Sequence, residues 1–296
     1  VQGGGARDFL FSVVTAAYNC EPWLDACIAS LASQSLGFEE HIQLVLRTEN
    51  GGVAGARNTG LPHALGRWVT FIDADDCVSE NYFAAVREAL KNNEDGLAAV
   101  SCRPVYLLDD NTLHDTHPLR YKYARPAAVV YLQKQPEYIQ LAVNAVFLDR
   151  QRLVQSGVLF DSRVRPSFED AHFLNRYFLH TGMSTVCFLR DAVYFYRKRG
   201  TQDSLVDSGW KRPEKYRDQI VFGYLELLRA YAAKTGTVPE FIQNTVFYDV
   251  YWYFRKMLDS TLEYAFSDGE AAQMFGLLRT AFRFVDVQTM LHSPLP

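Results

Sequence analysis

The stretch 69-VTFIDADDCVS-79 runs a β-branched and aromatic segment straight into Asp73, Asp75 and Asp76. Short runs of this kind, bounded by turn residues, read as buried strands. Three carboxylates at such density repel one another, and at the end of a buried strand the repulsion must be offset by cations or hydrogen-bond donors. A positive or proton-donating environment is therefore expected around this turn. In open α/β sheets ligands bind at the carboxyl ends of strands, so Asp73 and Asp75 would stand where a hard cation and a nucleotide diphosphate could meet. The plainer reading is that both carboxylates merely cap the helix that should begin near Ser79.

Working outward, 9-FLFSVVTA-16 reads as a strand that stops at the turn-like 17-AYNCEP-22, and from Pro22 onward apolar residues recur at helical spacing. The run 42-IQLVL-46, the helical 53-VAGARNTGLPHAL-65 and the strand at 67–72 repeat the alternation, which predicts an α/β layout with a largely parallel sheet. Downstream, the pattern predicts a helix over 80–93, strands over 97–108, 127–132 and 144–149, a helix from 169 to a stop at Gly182, and an extended segment over 184–198. Long helical patterns follow over 214–236, 238–266 and 268–285. The expected division is 1–8 as an unstructured or vector-derived start, 9–212 as the α/β domain, and 213–296 as a helical C-terminal region.

The 296 residues carry 48% hydrophobic side chains and a net charge of -4. That supports a proper core and argues against a nucleic-acid binder, which would rely on neutralising phosphates. No apolar run approaches the ~20 residues of a membrane-spanning helix, and the N-terminus shows no signal-type segment, so a cytoplasmic location is expected. The five cysteines are scattered and never spaced as CxxC, which suggests neither a disulfide framework nor a zinc site.

Other motifs carry chemistry as well. In 47-RTENGGVAGARNTGL-61 a Gly-rich turn opens a helix bearing Arg57 and Asn58, so backbone amides and a guanidinium could gather on a diphosphate or a base edge. In 166-PSFEDAHF-173, Glu169 and Asp170 stand at a helix start, where a carboxylate stays ionised and can take a proton from an attacking hydroxyl. In 194-YFYRKRGTQDSLV-206, Arg197, Lys198 and Arg199 precede a loop with Ser204 and could neutralise a leaving phosphate. Each has a bland alternative: a surface loop, a helix-capping pair and a solvated basic face. The aromatic 247-FYDVYWYFRKM-257 reads either as packing of the tail's own helices or as a docking surface for a second copy, a following domain or a membrane interface, the first being simpler.

Taken in order, GGVAGARNTGL, GRWVTFIDADD and FED give the chain a combination that resembles a family 2 glycosyltransferase over roughly residues 9 to 206. The resemblance implies a GT-A fold: a Rossmann-like mixed, mostly parallel sheet flanked by helices, here with a helical appendage. It implies an inverting transfer from a nucleotide-diphosphate sugar, taken as a UDP-sugar. Ala16, Tyr18 and Asn19 would lie at the nucleobase, Asp73 toward the ribose, and Asp75 on Mn2+ or Mg2+. Asp76 would be structural, Asp170 the general base, and Glu169, Arg197, Lys198, Arg199 and Ser204 would line the substrate. Within the family the chain looks most like bacterial enzymes that glycosylate wall teichoic acid and like modules fused to glycerophosphotransferases. A polyanionic or polysaccharide acceptor, free or lipid-linked at the inner face of the membrane, would then meet Lys211 and Arg212.

Two other functions share the features: a non-catalytic carbohydrate-binding module that keeps the fold, and a nucleotidyltransferase that releases pyrophosphate. One family element has no counterpart. The Asp-rich DDGS-type turn and its helix are missing, and 42-IQLVL-46 runs straight into Arg47. Two readings stay open: a chain weakened in donor binding, or a segment closed up between Leu46 and Arg47.

Overall fold

Phe11–Val14 form β1, and Trp68–Phe71 form β2 beside it in parallel, with Val14 opposite Phe71. The computed structural model describes residues 9–36, 44–93, 96–200, 208–293 and 295. Gly66 lets the two strands enter together: a Cβ there would fall 2.3 Å from the Phe11 carbonyl carbon. Its N–H instead donates to Ser12 Oγ at 2.8 Å. Between the strands lie α1 (Glu21–Ala32), with Pro22 in its first turn, and α2 (Gly52–Gly60).

Next come β3 (Cys77–Val78), α3 (Tyr82–Lys91), β4 (Ala99–Leu108) and the short β5 (Leu113–His114). After them come β6 (Ala127–Tyr131), β7 (Val146–Asp149), α4 (Arg150–Ser156), α5 (Glu169–Thr181) and β8 (Thr185–Lys198). The sheet order is β1-β2-β7-β4-β8-β3, with β5 added on β4.

Two expectations are corrected here. Among the described residues β1–β2 pairs in parallel, whereas β2–β7, β4–β7, β4–β5 and β3–β8 are antiparallel. The expected predominance of parallel pairing fails because β7 inserts between β2 and β4. Those two strands run the same way, and the insertion turns one would-be parallel pair into two antiparallel ones. The strand expected at 42–46 is also not formed over its described part. Residues 44–46 are coil, with Leu44 and Leu46 80% and 83% exposed, so nothing buries the apolar faces a strand would need. Residues 42 and 43 lie outside the described residues.

The chain divides into two compact units. The first comprises 1–129, 143–159 and 185–197. Its core gathers Tyr82, Phe83, Val86 and Leu90 from α3 with Phe147 of β7 and Tyr194 of β8. The Phe83 and Phe147 rings meet edge-on at 5.6 Å, and Phe11 contacts both at 5.3 Å. Each such buried ring contributes roughly 1.5–3 kcal/mol over its exposed state.

The second unit comprises 130–142, 160–184 and 198–296, so α5 groups with the C-terminal helices. Its helices after β8 are α6 (Pro213–Tyr216), a π-helix at Gln219–Leu225, α7 (Glu226–Thr235), α8 (Glu240–Leu258), α9 (Asp268–Phe282) and α10 (Val287–His292). A capping box starts α9, with Ser267 and Glu270 exchanging backbone bonds. The aromatic stretch of α8 packs within the tail. Tyr253 is buried, and Phe247 and Phe254 meet Phe282 at 6.2 and 6.3 Å. Among the described residues no helix is long and apolar enough to cross a membrane.

Candidate active site

In the first unit β2 ends at Phe71 and the chain turns at once, with the Asp76 N–H donating to the Asp73 carbonyl at 3.0 Å. β3 follows and pairs with β8, Val78 opposite Tyr194. This pairing brings the far end of β8 to the acidic turn. The Tyr194 hydroxyl accepts from the Asp73 N–H at 3.1 Å and donates to Asp76 Oδ2 at 2.6 Å. The Arg197 N–H donates to Asp76 Oδ1 at 2.7 Å, and its Nε donates to the Asp75 carbonyl at 2.8 Å. Asp73 is held from the other side, by Arg57 Nη2 at 2.8 Å and Asn144 Nδ2 at 3.3 Å.

The positive, proton-donating surroundings expected from the sequence are thus present, supplied by Arg57, Arg197, Asn144 and Tyr194. Asp76 is buried. Burial, then the Asp73 and Asp75 charges, push its carboxyl well above the usual range, against the bonds from Arg197 and Tyr194. Burial also pushes the Cys27 thiol up to about 12, with Cys77 and the three carboxylates adding to it, so this thiol is inert. The helix-cap alternative is not realised, since Asn81 is the N-cap of α3 and no side chain bonds there.

The remaining predicted residues fall as follows. Arg57 is buried, with its guanidinium committed to Asp73 and lying 5.8 Å from the Phe71 ring, so it orients Asp73 where the sequence suggested an open diphosphate contact. Asn58 sits half-buried on α2. At the Gly-rich turn, Arg47 reaches over the helix start, donating to the Gly55 carbonyl at 3.0 Å and to Thr59 Oγ1. Ala16 is half-buried just past β1, and Tyr18 and Asn19 are exposed, Asn19 in a left-handed conformation with φ 50. Asn144, Tyr194 and Arg47 were not singled out by the sequence reading. The only signal for Tyr194 is strand alternation within 194-YFYR-197, which sets it and Tyr196 on one face.

Glu169, Asp170, Lys198 and Arg199 belong to the second unit. Glu169 and Asp170 occupy the first turn of α5, half-buried, after Phe168 in a left-handed conformation with φ 77. No side chain caps this helix, and the two carboxylates lie where its dipole favours negative charge. Lys198 and Arg199 are half-buried, and the exposed Lys211 pairs with Glu263 at 2.9 Å. Ser204 lies outside the described residues.

Among the described residues no group of three or more His, Cys, Asp or Glu side chains could hold a metal by itself. The donors at the acidic turn are oxygens only, a set that suits a hard cation completing its shell from a bound diphosphate. Asp73 and Asp76 are engaged by Arg57, Asn144, Tyr194 and Arg197, and the half-buried Asp75 is the third carboxylate of the turn.

Comparison with known proteins agrees with this geometry. Residues 35–147 match the family model described as Glycosyl transferase family 2. The minor teichoic acid biosynthesis protein GgaA of Bacillus subtilis is 28% identical over 270 residues, covering 81% of this chain and 59% of GgaA. The chain therefore spans little more than half of that relative. The aligned length exceeds the residues this chain contributes, so GgaA carries extra residues across the same region.

Among solved structures, S. aureus TarS 1-349 in complex with UDP-GlcNAc superposes with a TM-score of 0.69 at 16% identity, over 95% of this chain and 83% of that one. GalNAc-T7 with UDP, GalNAc and Mn2+ gives 0.53 at 12% identity, over 99% of this chain and 59% of that one. These likenesses show the fold, a GT-A-like mixed sheet with flanking and C-terminal helices. The resemblance read from the sequence, to family 2 glycosyltransferases and to teichoic acid biosynthesis proteins, holds.

Proposed function

Since residues 35–147 make the chain a relative of family 2 glycosyltransferases, we propose that it transfers a sugar from a nucleoside-diphosphate sugar, a UDP-sugar, to a hydroxyl of a teichoic-acid-type polymer, with inversion. The observation that carries this reading is the braced acidic turn. Arg57 and Asn144 hold Asp73 from one side, and Tyr194 and Arg197 hold the Asp75–Asp76 end from the other. A turn fixed this way presents its carboxylates in one geometry before any ligand arrives, and that is where positional catalysis begins.

In the proposed reaction Asp170 accepts the proton of the acceptor hydroxyl. The hydroxyl oxygen attacks the anomeric carbon from the face opposite the diphosphate, and the bond from that carbon to the diphosphate oxygen breaks, its electron pair leaving with the nucleoside diphosphate. Asp73 orients the donor on its ribose side, and Arg197, anchored through its Nε to the Asp75 carbonyl, places positive charge at the turn. A Mn2+ or Mg2+ ion on Asp75 would supply Lewis-acid stabilisation of the departing phosphate oxygens. Lys211 and Arg212 would meet acceptor phosphates, and the nucleotide-sugar donor places the reaction on the cytoplasmic side.

The test is a transfer assay with UDP-sugars and a poly(polyol phosphate) acceptor, run beside calorimetric titration with UDP and Mn2+. Asp170→Asn should lower transfer by about 10²–10⁴-fold while leaving UDP affinity unchanged. Retained transfer would remove Asp170 as the base. Absence of UDP binding by the wild-type chain would replace the whole reading with a carbohydrate-binding module.

A further inference from the structure

Behind the start of α5 the second unit buries an ammonium. Lys215 is 3% exposed, and its Nζ donates to Ser167 Oγ at 3.0 Å and to Gln219 Oε1 at 3.4 Å. The same nitrogen stands over the Trp210 ring at 4.2 Å and the Tyr253 ring at 5.3 Å. The Ser167 hydroxyl in turn donates to Gln219 Oε1 at 2.9 Å. Gln219 Nε2 donates to Tyr224 Oη at 2.8 Å and to Asp249 Oδ2 at 2.7 Å, and Tyr253 Oη donates to the Lys215 carbonyl at 2.8 Å.

Burying a charge without a carboxylate in contact is unfavourable by several kcal/mol, and among the described residues Lys215 forms no ion pair. Burial lowers its proton affinity, the more distant Asp249 and Glu169 charges restore part of it, and Lys256 opposes them. Such a cation needs a reason to be there, and its neighbours supply one.

Ser167, the residue the ammonium holds, lies two positions before Glu169. Phe168 between them is left-handed, and its ring meets Tyr224 edge-on at 4.8 Å. Gly223 of the π-helix comes so close that a Cβ there would sit 3.0 Å from Phe168 Cδ1. The turn that launches Glu169 and Asp170 is therefore clamped on consecutive residues by one network.

We infer that Lys215 is a positioning residue for the Glu169–Asp170 pair. Seated against Trp210 and Tyr253 and bonded to Ser167, it fixes the turn before α5 and brings a positive charge to the segment that carries the two carboxylates. This rests on the reading of Asp170 as the base. The two contributions are separable, because Ser167→Ala removes the bond and keeps the charge, whereas Lys215→Met removes both and keeps the volume.

The experiment measures kcat, donor KM, UDP affinity and the pH dependence of kcat for wild type, Lys215→Met and Ser167→Ala, with thermal melts confirming folding. Lys215→Met should lower kcat about 10–100-fold, with donor KM and UDP affinity within twofold of wild type, and should move the acidic limb of the pH profile upward by about one unit. Ser167→Ala should lower kcat by a smaller factor and leave that limb in place. An unmoved limb and unchanged kcat in Lys215→Met would overturn the inference, as would a loss of UDP affinity parallel to the loss of kcat. Should Lys215→Met fail to fold, Ser167→Ala decides alone, an unchanged kcat refuting the clamp. A wild-type chain that transfers no sugar removes the premise, whereas an active wild type with unmoved variants removes only the role of Lys215.

Discussion

Breaking the Arg57–Asp73 pair should be asymmetric, because the partners differ in burial. The Arg57 side chain is 4% exposed and that of Asp73 28%. Removing one member of a well-buried ion pair costs about 3–5 kcal/mol, chiefly through the charge left behind. Asp73→Ala leaves a guanidinium with almost no access to water, so about 3–4 kcal/mol is expected. Arg57→Met leaves a carboxylate that keeps over a quarter of its surface in solvent and the bond from Asn144 Nδ2, so about 1–2 kcal/mol is expected after allowing for solvent screening. Asp73→Asn retains an acceptor oxygen for Arg57 Nη2 and should fall near the smaller value.

At about 2–4 °C per kcal/mol for a chain of this size, Asp73→Ala should melt about 6–16 °C below wild type. The double variant should be less destabilised than the sum of the singles, since the second deletion removes the buried guanidinium that has lost its carboxylate. Calorimetric melts of wild type, the three single variants and the double variant provide the measurement. An Arg57→Met variant that loses as much stability as Asp73→Ala, or a double variant that is strictly additive, would refute the view that burial of the guanidinium sets the energetics of this turn.

Gly66→Ala should cost about 3 kcal/mol or more, because the new Cβ would lie 2.3 Å from the Phe11 carbonyl carbon and 2.6 Å from the Ser12 nitrogen, backbone atoms fixed by the β1–β2 register; a melt equal to wild type would show that the strands can part. His172 is buried with neither ring nitrogen hydrogen-bonded, and burial, then Arg176, lowers its pKa to about 4. Its folded value lies below the unfolded one, so its contribution is fully present above pH ~6.5 and is lost as pH falls toward the folded value, up to about 3 kcal/mol. His172→Phe should flatten that acid limb in melting temperature against pH. Asp75→Ala should abolish the part of UDP affinity that depends on Mn2+ and leave the metal-free part intact, as read by titration with and without chelator.

The acidic turn was legible because charge density at the end of an apolar run is a local signal, and so was the start of α5, where Glu169 and Asp170 precede helical periodicity. The tail helices were legible for the same reason. What escaped is non-local. Nothing near β7 in the sequence says that it inserts between β2 and β4, so the parallel sheet was over-predicted. Asn144 meets Asp73 across 71 positions and Tyr194 meets Asp76 across 118, distances over which spacing carries no information. Arg57 stands out in the sequence, but its partner depends on how far α2 sinks toward β2, which only packing determines. The segment 42–46 misled for the opposite reason: its composition suits a strand, yet its described residues are coil, with Leu44 and Leu46 left largely exposed.

The Tyr194 hydroxyl takes a proton bond from the Asp73 backbone and gives one to Asp76, so one atom closes two contacts that belong to different residues of the turn. The pair at 76 and 194 is therefore not free to drift independently. A hydrophobic residue at 194 would leave the buried Asp76 carboxyl with the Arg197 N–H but no donor on its Oδ2, and a hydrophobic residue at 76 would leave the buried Tyr194 hydroxyl with no acceptor for its proton. A lineage that changes one alone passes through a destabilised protein. Positions 76 and 194 should accordingly be replaced together or kept together, so that among descendants of this chain a neutral side chain at 76 marks those in which the turn has been rebuilt.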